Sequence, residues 1–230
     1  VNRGFLRGPV IPIYGFAAIT ILLATIQVRE NTIAIYVLGA LTATLFEMVT
    51  GTVMERLFKV KYWDYSDMPL NYHGHICLFV SLFWGAFSVL LVRIIHVPVE
   101  NLLMQIPSFL CEAFAFMFMA IFAYDTTVSF NEAMDLREVL ESLSENNETV
   151  KRLERRFDAI VAFTPVPDID EIHELKLRLE KLEIHRKRIM EKSNKQFLRA
   201  MNQLKRNPGA KSEKYQEMME LLYKLLENRD

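Results

Sequence analysis

Residues Phe46–Leu78 read F-E-M-V-T-G-T-V-M-E-R-L-F-K-V-K-Y-W-D-Y-S-D-M-P-L-N-Y-H-G-H-I-C-L. The stretch starts inside an apolar run and leaves it through Glu47 and Glu55, which share one helical face. It then crosses a polar, aromatic hinge and re-enters an apolar run from His75. Such a reading belongs to a chain that passes between two solvents, because a buried helix of a soluble domain does not need apolar runs this long on both sides of a basic turn.

Working outward, Thr32–Met54 makes one apolar segment and His75–Val97 another. Upstream, Val10–Val28 is almost wholly apolar and is separated from the next run by Arg29-Glu30-Asn31. Downstream, Pro98–Ile106 reads as a short connection and Pro107 to about Ser129 as a further apolar segment. A bilayer core of about 30 Å is crossed by about 20 helical residues, so each of these segments suffices. Beyond Ser129, Glu, Lys, Arg and Leu dominate. The expected fold is therefore all-α: a polytopic membrane bundle of four spans at 1–129, followed by a cytosolic helical, coiled-coil domain at 130–230.

Orientation follows from the basic residues. Arg3, Arg7, Arg56, Lys59 and Lys61 fall on the same side as the charged tail, whereas the opposite side holds Arg29 and Arg93. Short basic loops stay cytoplasmic, which places the N-terminal loop, the hinge and the tail in the cytosol. In the tail, Thr164-Pro165-Val166-Pro167-Asp168 reads as a stop and turn. Ile172, Leu175, Leu179, Leu182 and Ile189 form a three-four seam interrupted by Arg186, and Asn207-Pro208-Gly209 ends it. A final helix carries Tyr215, Met218, Leu222 and Leu225. A seam of this kind needs a partner, so the 168–230 tail is expected to self-associate or to fold as a hairpin. Its basic run Arg186-Lys187-Arg188 is a solvated face among interleaved acids, not a nucleic-acid site.

The candidate site residues cluster in the opening stretch. Gly39, Ala43, Glu47, Gly51 and Glu55 recur every four residues, a stripe of small side chains bearing two acids. A carboxylate deep in a span costs about 2.5–3.5 kcal/mol, so Glu47 needs a partner or a function. A structural hydrogen bond to Ser81 or Tyr14 would satisfy the first requirement. Cys77, Ser81 and Gly85 make a matching small stripe. Trp63, Asp64 and Tyr65 suit an interfacial anchor, with Asp64 capping a turn. Asn71, His73 and His75 add polar density which that reading leaves over. Two histidines at i, i+2 are poorly placed for one metal on a helix, and no metal or cofactor is expected. Cys77 and Cys111 read as buried thiols. No phosphate-binding loop motif occurs, so any ATP-driven step would need a separate ATPase subunit.

V-N-R-G-F-L-R-G-P-V-I-P-I-Y-G, F-E-M-V-T-G, W-D-Y-S-D-M-P-L-N-Y-H-G-H-I-C-L and F-W-G resemble the bacterial ABC-transporter type IV permeases, the CmpB-like integral membrane proteins. The resemblance is dense from Val1 to about Gly85, and Gln196–Leu226 is similar to the family's C-terminal end. It implies a bacterial inner-membrane protein. Family members carry a further span before N-R-G-F-L, so the start at Val1 reads as a truncation, and they often have Arg where this chain has His75. Asn2-Arg3-Gly4 and Asn71 to Gly74 both place Asn and Gly just before a span, the pattern of a duplicated helix–loop–helix unit, which adds Asn2 and Arg3 to the candidates. Three functions fit. The first is a permease-like transporter of a small solute or ion, with its acidic site near the cytosolic side. The second is a membrane-embedded enzyme acting on a lipid or headgroup through Asp64, Asn71 and His73. The third is a scaffold or sensor that recruits a partner through the tail.

Overall fold

The computed structural model describes residues 4–163, 169–191 and 194–227, with side chains except at 159–163 and 169–171. Asn2, Arg3 and the Thr164–Asp168 turn lie outside the described residues. The chain divides into two compact units, Val1–Phe130 with Arg206–Lys211 and Asn131–Lys205 with Ser212–Asp230.

In the first unit, α1 (Pro12–Thr25) continues as a 3-10 turn to Val28, with proline in its first turn, where a missing N–H costs little. Asn31 caps α2 (Thr32–Phe58) by accepting the backbone N–H groups of Ile33 and Ala34, each at 3.1 Å. Lys59 closes α2 in the left-handed conformation. A two-stranded antiparallel hairpin follows, β1 (Asn71–Tyr72) and β2 (Ile76–Cys77). It was not expected, and it starts the next helix at Leu78 instead of His75. Helix α3 (Leu78–Leu90) passes through a π turn (Leu91–Ile95) directly into α4 (His96–Gln105). The expected break at Pro98 is therefore absent. Proline lacks the N–H that would bond the carbonyl one turn back, and the π turn, with His96 N–H donating to the Leu91 carbonyl, reorganises the ladder just before it.

Among the described residues, three helices are long and apolar enough to cross a membrane: Thr32–Phe58, Leu78–Gln105 and the one beginning at Ser108, while Pro12–Val28 is apolar but shorter. Helix α2 shows how such a helix is solvated. Ile35, Gly39, Ala43, Glu47 and Gly51 are buried, while Ile33, Val37, Leu41, Leu45, Val49 and Val53 are exposed on the other side. Each set repeats every four residues and the two are offset by half a turn, so a protein-facing stripe opposes an apolar stripe suited to lipid. The buried stripe faces α3. A Cβ on Gly39 would collide with Ser88, and one on Gly85 would lie 2.8 Å from the Tyr36 ring. Tyr36 also donates its hydroxyl to the Leu82 carbonyl at 3.0 Å. Ile21, Ile35, Ala43, Leu91 and Val92 complete the core between α1, α2 and the π turn.

Helix α5 (Ser108–Phe163) is continuous, with no break at Ser144–Asn147 where the apolar pattern falters. Its first half belongs to the first unit. There Asp125, which reads in the sequence as an interface-level acid, accepts the backbone N–H groups of Arg7 (3.1 Å) and Gly8 (2.9 Å) and so anchors the N-terminal loop.

In the second unit, α5 from Asn131 onward joins α6 (Ile169–Ile189), α7 (Lys195–Arg206 up to Lys205) and α8 (Gln216–Glu227). The expected seam stops at Met190–Asn194, where Asn194 caps α7 through the N–H groups of Gln196 and Phe197. The covered residues come from all four helices: Leu136, Leu140 and Leu143, then Leu175, then Phe197 and Leu204, then Met218 and Leu222. Asn146 donates to the Leu182 carbonyl at 3.0 Å, and Lys151 pairs with Glu217 at 2.8 Å. The seam is therefore partly satisfied within its own chain.

Two outcomes follow. Gly85→Leu should lower thermal stability in detergent by several degrees, since forced overpacking costs about 1–3 kcal/mol, whereas Gly15→Ala, which points into open space, should leave the melting temperature unchanged. A fragment spanning 131–230 should melt cooperatively by circular dichroism, and one starting at Asp168 should not, because it lacks the α5 residues that cover the seam.

Candidate functional site

The first unit encloses a cavity of about 490 Å³, within the size range of small-molecule sites. Helix α2 contributes Ala43, Phe46, Glu47, Thr50 and Met54, a continuous helical face. Helix α1 contributes Tyr14 and Ala17, and α3 contributes Trp84. Tyr62, Trp63 and Tyr65 of the hinge line it too, with Gly4, Phe5 and Ile11 before α1 and Asn207 from the returning segment.

Among the described residues of this lining Glu47 is the one carboxylate, and only 7% of its surface is exposed. The Tyr65 hydroxyl donates to its Oε1 at 2.9 Å. Trp84 lies beside the same carboxylate, yet neither its indole N–H nor Glu47 Oε2 is hydrogen-bonded. A buried polar atom without a partner carries most of its desolvation cost, so half of this carboxylate is an open acceptor. The expected partners Ser81 and Tyr14 do not serve: Ser81 donates to the Cys77 carbonyl, and Tyr14 lines the cavity with its ring 6.0 Å from that of Trp84. Burial, and then the charge of Glu47 and the hydrogen bond to it, push the Tyr65 phenol well above its usual range, so it remains a donor.

The other candidates build the hinge. Glu55 pairs with His75 (Oε2 to Nε2, 3.0 Å) and approaches Lys61 at 3.9 Å. Lys61 donates to the His73 carbonyl and Trp63 to the His75 carbonyl, both at 3.0 Å. Gly51 makes room for this, since a Cβ there would stand 2.9 Å from the His75 ring and 3.2 Å from Trp63. Asp64 accepts from the Ser66 N–H (3.0 Å) and hydroxyl (2.5 Å), and from Lys211 at 3.1 Å. Asn71 donates to the Ser66 and Met68 carbonyls and accepts from the Gly74 N–H. His73 is exposed, with a positive φ of 51°. Gly74 has φ 70° and no room for a Cβ beside Asp64 and Ser66. Lys61 and Lys211 exchange backbone hydrogen bonds of 2.7 and 3.0 Å, which tie the returning Arg206–Lys211 segment to the hinge.

Glu47, Trp63 and Tyr65 thus meet at the cavity. Asp64, Asn71, His73, His75 and Glu55 do not line it. The side chains of Asp64, Asn71, His75 and Glu55 and the His73 carbonyl hold the segment that presents Trp63 and Tyr65. Sequence reasoning passed over Trp84, Tyr62, Phe46 and Thr50. Phe46 and Thr50 flank Glu47 at −1 and +3, one helical face that the four-residue stripe alone did not include. Among the described residues, no group of three or more His, Cys, Asp or Glu side chains is placed to hold a metal.

Membrane-length apolar helices around a cavity headed by a single acid define a polytopic helical membrane protein. The profile of the family described as "Putative ABC-transporter type IV" matches residues 1–130, more than half of the chain, and the chain belongs to that family. No curated protein and no solved structure matches it.

The Asp64 clamp makes the hinge sensitive to acid. Burial works against ionising Asp64, but hydrogen bonds from the Ser66 hydroxyl, Lys211 and the Ser66 N–H outweigh it and hold the carboxyl below its usual value. A depressed carboxylate stabilises above its unfolded pKa, and that contribution is lost as pH falls through the folded one. In a Trp84→Phe background, which leaves Trp63 as the single tryptophan, emission should shift to the red only below about pH 4. Asp64→Asn should show the shifted emission already at neutral pH. Emission from the Asp64→Asn protein that matches the parent would show that the clamp does not hold the hinge.

Proposed function

We propose that this chain is a permease-like membrane component that moves a small solute or ion, with Glu47 at the solute site near the cytosolic side. The observation that carries the reading is the cavity between α1, α2, α3 and the hinge, headed by a buried carboxylate with an open acceptor. Membership of a transporter family supports it. On this reading α1 completes a four-span bundle in the bacterial inner membrane, and the Lys/Arg bias places the hinge and tail in the cytosol. With no phosphate-binding loop in the sequence, ATP hydrolysis would fall to a separate subunit, and self-association to the 168–230 tail. The embedded-enzyme alternative draws no support from the geometry, since Asp64 and Asn71 are engaged in the hinge's own hydrogen bonds.

The test is flux in proteoliposomes energised by a proton gradient, and in inverted native membrane vesicles supplied with ATP. Organic cations, organic anions and neutral polar solutes are offered in turn. One class should move only with the protein present. Glu47→Gln, which keeps the shape and removes the charge, should cut that flux at least about tenfold while the protein stays monodisperse, a loss of the size seen when a group essential to charge handling is removed. Full activity in a normally folded Glu47→Gln protein, or no protein-dependent flux of any class, would overturn the reading.

A further inference from the structure

We infer that the Glu47 cavity is an organic-cation site, whose occupant carries an alkylated or primary ammonium group. The inference rests on the reading of this cavity as the solute site, and goes beyond it in naming the chemistry of the solute.

Three observations converge. First, Glu47 is more than nine-tenths buried and lines the cavity with Oε2 unpartnered. No Lys, Arg or His appears among the described residues of that lining. A buried carboxylate with no internal counter-ion is costly in an apolar bundle, and a cation brought in by a ligand removes that cost.

Second, the walls facing this acid are aromatic: Tyr14, Tyr62, Trp63, Tyr65 and Trp84 all line the cavity. The faces of indole and phenol rings attract ammonium groups electrostatically, and most strongly where water is excluded. A ring wall with a single acid matches a diffuse, weakly hydrated alkylammonium. A bare Na⁺, Mg²⁺ or Ca²⁺ would instead need a shell of oxygen donors, six or more for the divalent ions. The described lining supplies one carboxylate, Glu47, and otherwise the Thr50 hydroxyl, the Asn207 amide and the phenols of Tyr14, Tyr62 and Tyr65, of which Tyr65 is already bonded to Glu47.

Third, the volume of about 490 Å³ is far more than a single ion or proton needs, and suits a compact organic molecule. A proton alone would neutralise Glu47, but it would leave the aromatic volume without a role.

The same ammonium chemistry occurs on free amines and on lipid headgroups, so the experiment separates the two. The chain's two tryptophans, Trp63 and Trp84, both line the cavity, which makes intrinsic fluorescence of the full-length protein in maltoside detergent a direct report of occupancy. Choline is titrated against 3,3-dimethylbutan-1-ol, its neutral isostere, and against dihexanoyl phosphatidylcholine below its micelle concentration. Choline should change the emission saturably, and the isostere should bind at least about tenfold more weakly, as expected for a charge recognised by ring faces and an acid. Glu47→Gln should remove most of that difference. The isostere comparison is made on the unmodified protein, so it stands even if Glu47→Gln fails to fold.

Tighter binding of free choline than of the short-chain lipid assigns the site to a soluble amine, and the reverse assigns it to a headgroup; both support the inference. Equal binding of choline and its isostere overturns it, as does emission that responds to pH but to neither compound, the signature of a proton-only occupant. Choline binding without flux would sink the transport reading and leave the cation site standing. Flux of an anion or neutral solute without choline binding would do the opposite.

Discussion

A carboxylate held inside an apolar bundle is the constraint around which the first unit is arranged. Placing Glu47 at the centre of a span costs about 2.5–3.5 kcal/mol before any partner is supplied. Among the described residues the acid's hydrogen-bond partner is the Tyr65 hydroxyl, which comes from outside the helices. One oxygen of the acid is thus satisfied by the protein, and the other is buried without a hydrogen-bond partner in a residue that lines the ring-walled cavity. A purely structural role would be met more cheaply by closing the bundle over the acid or by a second donor. Trp84 lies beside the acid, yet its N–H makes no hydrogen bond to it.

The hinge gains its meaning from this constraint. Tyr62–Tyr65 must sit at a fixed depth for Tyr65 to reach Glu47, yet the segment has almost no regular secondary structure to fix it. Its rigidity comes from side chains bonding to backbone: Asp64 to Ser66, Asn71 across to Ser66, Met68 and Gly74, and Lys61 and Trp63 to the carbonyls of His73 and His75. Glu55 clamps the far side through His75, and Gly51 gives the space. The positive φ values at Leu70, His73 and Gly74 show how tightly the loop is turned. Polar residues that look like a catalytic cluster in sequence are here the frame that aims two aromatic rings.

Much of the membrane unit was legible because its signals are periodic. The Gly39–Ala43–Glu47–Gly51 stripe says which face of α2 meets a neighbour, and close approach at Gly39 and Gly85 follows from the missing side chains. What could not be read depends on irregular geometry. Pro98 ordinarily ends a helix, and only the preceding π turn lets α3 run into α4. Asp125 looks like an acid at a membrane boundary, and its bonds to Arg7 and Gly8 come from more than a hundred residues away in sequence. That Asp64, Asn71 and His73 do not line the Glu47 cavity could not be read from sequence for a related reason. Proximity in sequence puts them in one loop, but whether a loop side chain points into a cavity or back onto its own backbone is set by turn geometry. The tail seam was visible as a three-four pattern, but its partner was not: the pattern of α5 falters just where Asn146 reaches across to the Leu182 carbonyl.

The cavity divides its construction between two sources. The helices supply shape: close packing by small residues, a lipid-facing apolar stripe, and the single acid placed one turn above Ala43. The hinge supplies recognition: Tyr62, Trp63 and Tyr65 arrive as a group on one short segment. That segment is fastened by polar contacts, not by apolar burial, including the Asp64–Lys211 pair and the Lys61–Lys211 backbone exchange. Polar fastening of this kind can be released by charge or hydration changes that leave a helix core untouched. On the proposed reading, the wall that would contact a solute is also the wall fastened by polar contacts, which suits a site whose occupant must both bind and leave.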